Sequence, residues 1–277
     1  MNPTEKYNAR VEKVNSLLCV GLDPQFEKLP ERFKKLAHPQ FEFNKWIIEE
    51  TAQVAAAFKP NIAFYEVRGE SGIRELKMTI DFLRDNFPDI FTIVDAKRGD
   101  IGNTNEAYAR TYYDVFGFDA VTMHPYMGKE SLKPFLERKD KLCIILCRTS
   151  NPGAGEIQDL LTSPNPSSRG GEKGEVKPLW QVVAEKVRDE WNYNNNCMLV
   201  IGAPYPEELK RARHLMGEMT FLIPGTGSQG GEIESVVTAG LNSEGRGMII
   251  NSSRGIIFAA DPALEAKRMR DQINEYR

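Results

Sequence analysis

The sequence predicts an α/β protein built as one (β/α)8 barrel of the TIM type. Three observations carry this: eight short apolar runs are spread along the chain, helix-like segments fill the gaps, and polar residues collect where the runs stop. The runs are Leu17–Asp23, Phe58–Val67, Phe91–Lys97, Ala120–Pro125, Leu142–Arg148, Cys197–Ala203, Phe221–Gly225 and Gly247–Ser253. Several are continuously apolar rather than alternating, as strands covered on both faces must be. Between them lie amphipathic segments, among them Phe43–Phe58, Ile73–Phe87, Asn103–Phe116, Leu179–Tyr193, Pro206–Met216 and Gly231–Ala239. A doubly wound open sheet would usually put a glycine-rich phosphate loop after its first strand. Here that strand ends Gly21-Leu22-Asp23-Pro24, which has no such loop.

No linker splits the chain, so residues 1–277 read as a single domain with an N-terminal helical segment, 1–16, ahead of the first strand. One long loop interrupts the βα rhythm, at 151–177, and its core, Pro164 to Gly171, is too rich in Pro, Gly and Ser to be a regular element. It follows the fifth strand, on the face where barrels of this kind assemble their sites, so it is expected to cover the active site.

The 277 residues are 41% hydrophobic and 27% charged, with a formal net charge of -3, which leaves no basic field for nucleic acid. Cys19, Cys143, Cys147 and Cys197 lie in or beside apolar runs without paired metal-ligand spacing, and read as buried free thiols; no metal site is expected. No apolar run approaches the ~18 residues of a membrane span and the start lacks a basic-then-apolar leader, so a cytoplasmic protein with no membrane partner is expected.

The most informative stretch is Phe91 to Ile101, where an apolar run delivers Asp95, Lys97 and Asp100 at its carboxyl end. Side chains two apart on a strand share a face, so Asp95 and Lys97 should point together, and the following turn can fold Asp100 back toward them. An ammonium flanked by carboxylates is costly unless it is used. Other polar residues gather at strand ends: Asp23 after the first, Lys59 with Asn61 in the second, His124 at the fourth, and Thr149, Ser150 and Asn151 after the fifth. Asp23 alone would be a turn former and His124 a hydrogen-bonded histidine; their joint placement is the signal. After the seventh strand, Pro224 to Gly231 offers unobstructed backbone N–H groups just before a helix, and after the eighth, Arg254 adds a guanidinium. Together they suit a phosphate.

Asp95-Ala96-Lys97-Arg98-Gly99-Asp100-Ile101 fits the D-x-K-x-x-D-I pattern of the orotidine 5′-phosphate decarboxylase family, which the chain resembles over nearly its whole length. Gly21-Leu22-Asp23, Phe58-Lys59-Pro60-Asn61, the Pro224–Gly231 turn and Ser253-Arg254-Gly255 support the resemblance. The resemblance implies decarboxylation of orotidine 5′-monophosphate to UMP in pyrimidine biosynthesis, with no cofactor. It implies that Lys97 donates the proton, that Asp95 and Asp100 complete the charged array, and that Asp23 and Lys59 bind ribose hydroxyls. Asp100 and Thr104 would come from the neighbouring subunit of a homodimer with shared sites. Ser150, with Asn151, would contact the pyrimidine, while Gln229, Arg254 and backbone amides near Gly230 hold the phosphate, with Pro224 also on the substrate-binding surface.

Loss of CO2 leaves charge on a ring carbon with no adjacent carbonyl sink, and a positioned ammonium can stabilise that charge and then protonate it. Two other readings stand beside this one. A metal-using sugar-phosphate lyase on a similar barrel would tend to carry Glu at the position of Asp95, and a nucleotide-sensing barrel would not need the full Asp95, Lys97 and Asp100 set.

Overall fold

A computed structural model describes residues 3–162, 176–226 and 230–277. Eight parallel strands close into a barrel: β1 (Leu18–Leu22), β2 (Ala57–Pro60), β3 (Phe91–Arg98), β4 (Ala120–Met123), β5 (Leu142–Arg148), β6 (Cys197–Ile201), β7 (Phe221–Ile223) and β8 (Met248–Ser252). Each pairs with its neighbours in sequence, and β8 returns to β1 with Leu18 opposite Ile250. The expected fold class is therefore what forms. β1, β2, β4, β6, β7 and β8 are buried along their whole length, which is why they read as unbroken apolar runs.

The helix Pro3–Val14 lies at the amino-terminal end of the barrel, where the buried Tyr7 hydroxyl donates to the Met248 carbonyl. Arg10, also buried, donates to the carbonyls of Ala52 and Ala55 and pairs with Asp89 at 2.8 Å. These bonds tie the strand entrances together and leave the opposite end for chemistry. Among the described residues, no helix is long and apolar enough to cross a membrane.

Two predicted elements need correction. The second strand stops at Pro60, and residues expected to extend it form the short helix Ala63–Glu66. Proline gives the ladder no N–H, and the Asn61 side chain accepts the Ala63 N–H at 3.1 Å, turning the chain. The first of the expected helices runs over Pro39–Thr51 rather than to Phe58, because Ala57 and Phe58 pair with Cys19 and Val20 of β1. The helices Asn103–Phe116 and Leu179–Tyr193 form close to their expected bounds, each finishing in a wider π-turn, over Arg110–Phe116 and Val187–Trp191.

The long loop is structured at both ends. After β5 come the turn Pro152–Ala154, the helix Gly155–Gln158 and a two-stranded antiparallel ribbon pairing Leu161–Thr162 with Lys177–Pro178. Its expected irregular core, 164–171, lies outside the described residues. All four cysteines are buried and unpaired, as their surroundings in the sequence suggested.

Candidate active site

A bulge in β3 builds the centre. From Val94 to Arg98 β3 advances four residues while β4 advances two, from Val121 to Met123, so Asp95, Ala96 and Lys97 bow out of the regular ladder. Thr122, opposite the bulge, satisfies it: its hydroxyl accepts the N–H groups of Ala96 at 3.0 Å and Lys97 at 2.9 Å and donates to Asp95 Oδ1 at 3.0 Å. Lys97 itself takes a left-handed backbone conformation, φ +46°, which a non-glycine residue keeps only where its surroundings hold it.

Three elements meet at Asp95. Lys59, from β2, is buried and sits with Nζ 3.3 Å from Asp95 Oδ2; Lys97 Nζ sits 2.6 Å from Asp95 Oδ1. Asn61 Nδ2 donates to Asp95 Oδ2 at 3.4 Å, and the Asn61 N–H donates to Asp23 Oδ1 at 3.0 Å, linking β1 to the cluster. Burial opposes the Lys59 charge, but Asp95 and then Asp23 outweigh it and raise its pKa above the ordinary lysine value. Burial likewise opposes the Asp95 carboxylate. Lys59 and Lys97 more than compensate, with hydrogen bonds from Lys97 and Thr122, and hold its pKa well below the usual carboxylate range. The nearby Cys19 thiol is pushed by burial up to about 12 and stays protonated.

This cluster forms one wall of a cavity of about 380 Å³ whose other walls include Ser150, Asn151, Gln158 and Pro224. Ser150 is wedged between two glycines: a Cβ on Gly202 would come within 2.7 Å of Ser150 Cα, and one on Gly225 within 3.1 Å of its Cβ. Beside β7 and β8 lies a second cavity, of about 640 Å³, lined by Asp23, Thr226, Asn251, Ser253 and Arg254. Arg254 is exposed there and makes no ion pair among the described residues. Gly230 opens the helix Gly230–Gly240; Gln229 lies outside the described residues. The arrangement offers two ammonium groups at the first cavity and a guanidinium at the second, with Asp23, which lines the second, linked through Asn61 to Asp95 in the first.

Asp100 does not fold back onto the pair within the chain. Its Oδ1 accepts the Ile101 N–H at 2.8 Å, and the turn is drawn toward β4 by His124, whose N–H donates to the Arg98 carbonyl and whose Nε2 lies 3.0 Å from the Gly99 carbonyl oxygen. Gly99 has no room for a side chain, since a Cβ would sit 2.4 Å from that ring nitrogen. Thr104, on the helix Gly102–Ala109, is exposed. Sequence reasoning missed Thr122, which looks like any strand threonine until the bulge is seen. It also missed Gln158 and the buried Arg148, whose pairing with each other depends on how the long loop turns.

The model of the Orotidine 5′-phosphate decarboxylase / HUMPS family matches residues 16–269. The chain belongs to this family. A curated relative named orotidine 5′-phosphate decarboxylase, from Ralstonia nicotianae, is 44% identical over 285 aligned positions, covering 100% of both chains. Another of that name, from Cellvibrio japonicus, is 43% identical over 269, covering 94% of this chain and 93% of its own. Among solved structures, OMP decarboxylase from Leishmania donovani superposes with a TM-score of 0.85 at 38% identity, covering 100% of this chain and 98% of the other.

Proposed function

We propose that the protein decarboxylates orotidine 5′-monophosphate to UMP, a step of pyrimidine biosynthesis, without a cofactor. The observation that carries this reading is the Lys59–Asp95–Lys97 cluster at the barrel mouth, on the wall of one cavity, with Arg254 on the wall of a second. With the phosphate at Arg254 and the amides that start the Gly230 helix, and the ribose beside Asp23 and Lys59, the pyrimidine reaches Lys97 and the Ser150–Asn151 wall. The bond from ring carbon to carboxylate breaks, CO2 leaves, and the electron pair stays on the ring carbon. Lys97, exposed enough to move, stabilises that charge and gives it a proton, then recovers one from solvent. Asp95 fixes the ammonium in place, and phosphate binding supplies remote energy for ordering the array.

Both Asp95 oxygens are taken by ammonium groups, so Asp95 is not free to ligate a cation, which favours this reading over a metal-using lyase. We further propose a homodimer in which Asp100 and Thr104 complete the partner's site. Neither bonds to the chain's own cluster among the described residues, and the exposed apolar side chains Val67, Ile101 and Tyr126 are available to a second copy. A cytoplasmic location fits the four unpaired thiols. The test is direct: purified protein incubated with orotidine 5′-monophosphate and EDTA should release CO2 and form UMP one for one. Substrate left intact, or turnover abolished by the chelator, would overturn the reading.

A further inference from the structure

β5 ends at Arg148, and Thr149, Ser150 and Asn151 form a wall of the cavity that holds Lys97. Gln158, at the end of the short helix Gly155–Gln158, lines the same cavity and folds back onto this wall. Its Oε1 accepts the Thr149 backbone N–H at 2.8 Å and lies 3.5 Å from Arg148 Nη1; its Nε2 donates to Thr149 Oγ1, also at 2.8 Å. Thr149 Oγ1 in turn donates to Asn151 Oδ1 at 2.7 Å.

These bonds run in one direction. A backbone N–H is always a donor, so the Gln158 atom facing it is the oxygen, and the NH2 must face the Thr149 hydroxyl. That hydroxyl gives its single hydrogen to the side-chain oxygen of Asn151, Oδ1. Asn151 lines the cavity, and its NH2 makes no hydrogen bond among the described residues, so it is free to bond a ligand there. The frame around the relay is stiff. Arg148, buried, pairs with Asp159 at 2.9 Å and stacks 3.7 Å from the centre of the Tyr205 ring, whose hydroxyl donates to the Asn151 backbone carbonyl at 3.3 Å.

We propose that Gln158 and Thr149 are positioning residues that set the base specificity of the reaction by fixing Asn151 as a hydrogen-bond donor. The inference rests on the orotidine nucleotide reading and deepens it. A uracil-type ring presents carbonyl oxygens at its edge, which an NH2 group can bond; cytosine carries an amino group in place of one of them. Two facing NH2 groups leave both unpaired, and unpaired polar groups are how a site rejects a near-isostere. The relay therefore selects a ring with carbonyl acceptors.

Gln158→Glu reverses the relay with almost no change of shape. A carboxylate has no hydrogen to give, so it keeps the Thr149 N–H and Arg148 but turns the Thr149 hydroxyl toward itself. Asn151 then directs its NH2 to Thr149 and offers oxygen to the cavity. The experiment titrates UMP, CMP and ribose 5-phosphate into the full-length wild type, Gln158→Glu and Thr149→Val by calorimetry, and assays the same samples for orotidine 5′-monophosphate turnover. The expected result is a UMP-over-CMP preference that falls at least about tenfold in Gln158→Glu, while ribose 5-phosphate affinity stays within about threefold. Thr149→Val, which removes the relay without reversing it, should lower the preference by a smaller factor. An unchanged preference in Gln158→Glu, with wild-type turnover intact, overturns the relay alone; so does a ribose 5-phosphate loss parallel to that of UMP, which would mark a merely structural role. A wild type that neither turns over orotidine 5′-monophosphate nor prefers UMP overturns the functional reading and this proposal with it.

Discussion

Asp95→Asn should destabilise the fold by about 3 kcal/mol at neutral pH, because it strands the buried Lys59 ammonium. Lys97 can follow solvent when its partner is removed, since half of its side chain is exposed, but Lys59 cannot. At 3.3 Å the Lys59–Asp95 attraction is gross about 5 kcal/mol for an effective dielectric of about 20. Part of that is recovered from Asp23, which also supports the Lys59 charge, and from the carboxamide oxygen of the new residue. Acid adds a second signature. The Asp95 pKa is held below its ordinary 3.8, so its contribution is fully present above that value and is lost as pH falls through the folded-state pKa. The wild-type advantage over Asp95→Asn should therefore be flat from about pH 5 to neutrality and shrink below about pH 4. Equilibrium urea unfolding followed by tryptophan fluorescence, repeated across that range, measures both. A variant within about 1 kcal/mol of wild type at pH 7, or a gap that does not close in acid, would refute the electrostatic account of the cluster.

Lys97→Ala should lower kcat by at least about 10⁴-fold while UMP binding stays within about tenfold, because the ammonium acts on charge that develops only as CO2 leaves; CO2 release near the wild-type rate would contradict this. Arg254→Ala should weaken UMP about 10–100-fold and uridine hardly at all in parallel titrations, and equal losses for both would remove Arg254 from the phosphate site. Lys97→Ala and Asp100→Ala, each inactive alone, should recover about a quarter of wild-type activity per site when unfolded and refolded together, because half the dimers then carry one intact shared site; no recovery would argue against sharing.

The barrel was legible because its strands are buried on both faces and stop at polar residues, as Leu142–Arg148 does. β2 was harder. Its apolar character runs on through Ile62, Ala63 and Phe64, and only the Pro60–Asn61 pair, with the Asn61 side chain bonding ahead to Ala63, turns it into a helix. At the site, Asp95 and Lys97 could be paired from strand alternation, although a bulge rather than a regular strand brings them together. Alternation carried no hint of Thr122, which matters because β3 gains two residues on β4 just there. Nor could spacing reveal where Asp100 goes, since the His124 hold on Gly99 is a contact between separate strands. Gln158 sits in a stretch of Gly, Ala and polar residues with no period to read, and its role appears only when the chain doubles back on Thr149.

The central claim is that Lys97 is the acid that replaces CO2, and a crystal structure with UMP bound tests it most directly. The account predicts the Lys97 ammonium within contact of the ring carbon whose hydrogen stands in for the lost carboxyl, with Asp95 still paired to it and the phosphate against Arg254. A nucleotide seated elsewhere, or a ring whose hydrogen-bearing carbon faces away from Lys97, would contradict it.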